Sequence, residues 1–72
     1  GQAQIPFYLP KPAVVNFTVT NMLGQTVYEE NMTKSSGNHL LNLDVQDFDS
    51  GVYYYWILVD EVKIAKKMII TN

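Results

Sequence analysis

The sequence predicts an all-β fold, a small antiparallel β-sandwich of six to seven strands, on three observations. Side-chain polarity alternates with a period of two along most of the chain, and no stretch carries a 3.6-residue apolar repeat. Strand-like segments recur about every ten residues, the spacing of a small sandwich or barrel. Gly, Pro, Asn and Asp punctuate the gaps between them.

The elements follow in order. "IPFYL", residues 5–9, sets Ile5, Phe7 and Leu9 on one side. Pro6 has no N–H for a ladder, so this is an edge strand or a strand start. Pro10 and Pro12 flank Lys11 and separate it from "AVVNFTVTN", where Val15, Phe17 and Val19 point inward and Asn16, Thr18 and Thr20 outward. "MLGQ" is a turn in which Gly24 can take a positive φ. "TVYEENMT" is the third strand, and "KSSGN" connects it to the fourth, "HLLNLDV", with Leu41 and Leu43 in phase. "QDFDSG" is dense in turn formers, and Phe48 within it reads as an apolar plug under the sandwich. "VYYYWILV" is the fifth strand; Asp60 and Glu61 then turn the chain into the sixth, "VKIAKKMII". Residues 1–4 read as a tag or linker remnant and 5–72 as one domain.

Composition removes several function classes. Seventy-two residues make one small domain with a modest core. The chain has no cysteine, which rules out a disulfide framework and a thiolate zinc site. With nothing to staple it, the chain reads as a piece of something larger rather than a free cytosolic domain. The net charge of −2 with no basic block argues against nucleic acid as a partner. The longest apolar run, Val52 to Val59, falls far short of the roughly 20 residues of a membrane helix, so no membrane insertion is expected. "GQAQIPFYLP" lacks the basic start and apolar stretch of a secretory signal peptide.

No constellation reads as catalytic. His39, the one histidine, follows "SSGN", and a triad with Ser35 or Ser36 would still need a buried orienting acid and an oxyanion hole. A partly exposed histidine at a strand end is the plainer reading. Asp44, Asp47 and Asp49 lie close together, but Val45 and Phe48 interrupt them and no acid closes a calcium loop. The triplets Asn16-Phe17-Thr18 and Asn31-Met32-Thr33 matter only in a eukaryotic secretory setting. No enzyme, metal or cofactor is expected. Three of the five lysines, Lys63, Lys66 and Lys67, fall in the last ten residues. They either discourage sheet-to-sheet aggregation at an edge or form a basic handle that a receptor reads by strand addition.

The fifth strand splits by parity. Tyr53, Tyr55, Ile57 and Val59 form the expected core set; Val52, Tyr54, Trp56 and Leu58 share the other face. Tyr54 and Trp56 are expected to be mostly covered by their own domain, with a partner, a second copy or a glycan as the alternative occupant of that face. No basic residue interleaves the aromatics between 50 and 62, so a base-stacking platform is not indicated.

Three motifs in order resemble a known family. "NMLGQTV" matches a strand running into an N-hydrophobic-hydrophobic-G-[QR]-x-V turn, through Asn21, Met22, Leu23, Gly24, Gln25 and Val27. "FDSGVY" matches an L-x-[ST]-G-x-Y element, with Phe48 in place of leucine, then Ser50, Gly51 and Tyr53. Lys66, Lys67, Met68, Ile69 and Ile70 match a K-[KR]-aliphatic ending. Together they resemble the type A C-terminal sorting domain of the type IX secretion system of Bacteroidota, over residues 5–72. The resemblance implies a non-enzymatic Ig-like β-sandwich that follows a cargo protein through the periplasm. It implies engagement of the outer-membrane translocon and its shuttle protein, then cleavage and sortase-linked attachment at the cell surface, or release. Gly24, Gly51 and Tyr53 would then be structural, and Lys66 to Ile70 the part read by the machinery. The N-P pair that usually opens the family is missing. "FYLPKPA" also resembles the Ig-like module of flagellar hook-capping proteins, which serves as a spacer in secreted enzymes. A spacer or glycan-binding accessory module is therefore the alternative function.

Overall fold

The computed structural model describes residues 2–72. The strands are β1 (Gln2–Leu9), β2 (Ala13–Asn21), β3 (Thr26–Lys34), β4 (Gly37–Asp44), β5 (Gly51–Val59) and β6 (Val62–Ile70). They form two antiparallel sheets, one of two strands in the order β1-β4 and one of four in the order β3-β2-β5-β6. The two layers make a small Ig-like sandwich.

The core is built from the parity of each strand. Val15, Phe17 and Val19 of β2 are fully buried between the layers, joined by Tyr53 and Ile57 of β5 and Ile70 of β6. Ile5 and Leu9 of β1, Leu41 and Leu43 of β4, and Val45 just beyond it close the core from the other sheet. Phe17 centres an aromatic group, with ring centroids 6.0 Å from Tyr28 and 5.8 Å from Tyr55. Aromatic pairs at such separations add to simple area burial. Phe48 is half-buried on this core with its ring 5.5 Å from that of Tyr53, the plug that the loop composition predicts.

Turn chemistry fixes the register. Asn21 organises the β2–β3 turn: its Oδ1 accepts from the N–H of Leu23 at 2.9 Å and of Gln25 at 3.0 Å, and its Nδ2 donates to Gln25 Oε1 at 2.8 Å. Gly24 supplies the φ of +82° the turn needs. Between β5 and β6 two residues suffice, and Asp60 takes the left-handed conformation at φ 53°. Aspartate tolerates that region better than most residues, because its short side chain can hydrogen-bond locally.

Four details depart from the sequence reading. β1 begins at Gln2, not Ile5, because Gln2 to Gln4 continue the ladder opposite Asp44 to Asn42 of β4. β4 likewise begins at Gly37, two residues before His39. Thr18 and Thr20 lie on the outer face yet are 2% and 7% exposed. Thr18 stands between Glu29 and Trp56, and Thr20 between Thr26 and Tyr54, so small side chains on a central strand are roofed by their neighbours. Tyr54 departs in the opposite sense: expected to be covered, it is 45% exposed, since its partners across the sheet are only Thr20 and Lys67. Trp56 is half-buried, with the Lys63 ammonium 4.0 Å above its ring.

Candidate functional site

β6 is an edge strand, paired to β5 on one side and open on the other. Its register distributes the basic-aliphatic ending over two faces. Lys66, Met68 and Ile70 lie opposite Tyr55, Tyr53 and Gly51 on the inner face, whereas Lys67 and Ile69 lie opposite Tyr54 and Val52 on the outer one. Ile70 is buried, Met68 is half-buried, and Lys66, Lys67 and Ile69 are exposed. The five residues are therefore contiguous in sequence but split in role. Two anchor the strand, and three remain free beside its open edge.

The chain beyond β6 is held by the β4–β5 connection. Asn72 donates its backbone N–H to Ser50 Oγ at 2.8 Å, and Ser50 Oγ donates back to the Asn72 carbonyl at 3.1 Å. The Asn72 side-chain amide donates to the carbonyls of Val45, at 2.8 Å, and Phe48. Tyr53 adds a bond from its hydroxyl to the Asp49 carbonyl at 2.8 Å. The segment from Val45 to Tyr53, with Gly51 opening β5, thus becomes a socket for the end of β6. Sequence reasoning missed Asn72. The β5–β6 register, which sets Gly51 opposite Ile70, is the signal that brings residue 72 to this loop.

The remaining sequence candidates sit apart from this cluster. Gly24 is in the β2–β3 turn. His39 stacks on Phe7 at 5.2 Å and its Nε2 lies 2.7 Å from the Ser35 carbonyl, a partly exposed histidine near a strand end. Asp44 accepts from the Gln46 N–H at 3.0 Å, shaping the connection. Among the described residues no three His, Cys, Asp or Glu side chains gather as a metal site would require. Outside, Tyr54, Trp56, Lys63, Lys67 and Ile69 form a mixed aromatic, basic and aliphatic face on β5 and β6. Lys63 occupies one face of the indole, which leaves Tyr54 as the freer ring.

No curated protein and no solved structure matches the chain. A family model does: the secretion system C-terminal sorting domain, over residues 1–71. With that match covering nearly every residue of a small Ig-like sandwich, the chain belongs to the secretion system C-terminal sorting domain family, the type IX signal that its three motifs resemble.

Proposed function

We propose that the chain directs a fused cargo protein through the type IX outer-membrane translocon, and that Lys66 to Ile70 are what the machinery reads. A shuttle and a sortase are the further partners. The cargo passes through the periplasm, the domain is cleaved off, and the cargo is attached at the cell surface or released. The family is one of secretion signals, not of catalysts. The observation that carries the reading is the state of β6. It is an open edge strand that keeps Lys66, Lys67 and Ile69 exposed while Met68 and Ile70 hold it in place. Strand addition at that edge would take its affinity from the backbone and its specificity from these side chains. Tyr54 and Trp56, opposite Lys67 and Ala65, extend the recognised surface over the outer face.

Deleting residues 66–72 would be a poor test, because it also removes Ile70 from the core and Asn72 from its socket. The cleaner variant is Lys66→Glu combined with Lys67→Glu, both at exposed positions. Fused behind a periplasmic reporter in a type IX-competent host, the native chain should deliver the reporter to the surface or medium. The double variant should strand it in the periplasm while unfolding at the same temperature. Export of both fusions overturns the role of the lysines, and retention of both overturns the sorting reading.

A further inference from the structure

β6 is held to the sandwich at one end. Val62, Ile64, Lys66, Met68 and Ile70 share the inner face, yet Val62 and Ile64 are 63% and 56% exposed and Ile70 only 4%. Every residue from Val62 to Lys67 is exposed, so burial holds the strand only at Met68 and Ile70. The ladder to β5 stops at the same place, with Gly51 opposite Ile70. An edge strand frays from its last pair unless the chain beyond is tied down. Here it is tied, at Asn72. The Asn72 backbone N–H donates to Ser50 Oγ, which donates back to the Asn72 carbonyl, while the side-chain amide donates to the Val45 and Phe48 carbonyls. The receiving loop has its own bonds. Phe48 N–H donates to the Val45 carbonyl at 3.1 Å, Gln46 N–H to Asp44 Oδ1, and the Tyr53 hydroxyl to the Asp49 carbonyl. Buried Val45 and half-buried Phe48 root that loop in the core. The clasp therefore joins the edge strand of the wider sheet to the loop that leaves the narrower one.

From this geometry we infer that Asn72 and Ser50 are positioning residues for recognition: they fix the one anchored end of β6, so that the machinery reads Lys66, Lys67 and Ile69 on a docked strand and not on a loose peptide. The inference rests on the proposed reading of Lys66 to Ile70. Strand addition needs backbone groups already in line along the open edge. A frayed end would have to be ordered at the moment of binding, a cost that a preorganised strand avoids. The chemistry of the two residues suits a clasp. The Ser50 hydroxyl accepts one bond and donates the other, which threonine can also do and alanine cannot. The Asn72 amide turns its donors toward two carbonyls. An ionised aspartate has the same shape but only accepts, so Asn72→Asp opens the clasp with no change of volume. Were the tail read as a free peptide instead, the clasp would hold it back, and opening it would speed export.

The test places Ser50→Ala, Ser50→Thr and Asn72→Asp in the reporter fusion, with Gly24→Ala as a control that strains a turn away from β6. Urea unfolding of each fusion measures the loss of stability of the domain. Hydrogen exchange should be about tenfold faster at Met68 to Ile70 in Ser50→Ala and Asn72→Asp, and unchanged there in Ser50→Thr. One net hydrogen bond is worth a factor of about two to ten, so export should fall at least about threefold in the two opened variants. Ser50→Thr should export as the native fusion does. Gly24→Ala should too, although it loses as much stability as the opened variants or more. Undiminished or faster export from the opened variants overturns the inference. An equal fall in Gly24→Ala also overturns it, because the clasp would then only stabilise the fold. Retention of the native fusion sinks the sorting reading and this inference with it, whereas export of the native and every variant alike sinks this inference alone.

Discussion

Tyr28 shows how one side chain on an edge strand couples packing to pH. Its ring packs edge-on against Phe17, and its hydroxyl donates to Glu30 Oε1 at 2.7 Å, two residues along the same face of β3. That hydrogen bond, with partial burial and the adjacent carboxylate charge, raises the phenol above the ordinary tyrosine value. A group whose pKa is raised by folding favours its protonated form in the native state. Its contribution is therefore complete below the unfolded pKa of about 10 and is lost as pH rises through the raised value. Urea denaturation at about pH 8 and about pH 11 should show the native chain losing more stability over that interval than Tyr28→Phe, with lysine titration common to both. Equal losses would disprove the coupling. At this scale the core was legible: Val15, Phe17, Val19, Tyr53 and Ile57 all face inward as their parity requires. Tyr54 and Thr18 were not, because cover on the outer face is decided by which strands flank a residue. The order of strands is not written in any one of them.

The β2–β3 turn is where an element depends on one backbone angle. A Cβ added at Gly24 would meet nothing within 4 Å, so space does not forbid a side chain there. The φ of +82° does, since L-residues crowd the following carbonyl in that region. Gly24→Ala should cost roughly 1–2 kcal/mol in thermal or urea unfolding, and Gly24→Asn less, because asparagine visits that region more readily. Equal costs for the two would show that the angle is not what matters. Turn residues of this kind made the hairpins legible, as did the two acids between β5 and β6. Strand starts were harder to read. Gln2, Ala3 and Gln4 carry no strong apolar signal, yet they extend β1 through the backbone ladder to β4. The socket for Asn72 had no signal at all until the β5–β6 register was known, since its partners are backbone carbonyls and one serine hydroxyl.

On the scale of the whole molecule, the two sheets are closed by contacts far apart in sequence. β2–β3 and β5–β6 are local hairpins, but β2 and β5 pair Val15 with Val59, and β1 and β4 pair Gln2 with Asp44. This crossover arrangement was the least legible feature, because every strand has a suitable apolar face for several neighbours and only joint packing around Phe17 selects among them. It also sets the expected speed of folding. Either hairpin alone is at best marginally stable in water, so neither can wait as a formed unit for the rest. The entropy of closing the long β2–β5 and β1–β4 loops must be lost before the core around Phe17 repays it, which is the condition for slow folding. Trp56, the only tryptophan, reports on the step directly, since it sits on β5 opposite Thr18 of β2. Stopped-flow fluorescence should therefore show refolding in a single phase of milliseconds to seconds, typical of β-sandwiches. Completion within microseconds would mean that the local hairpins, not the β2–β5 pairing, carry the barrier.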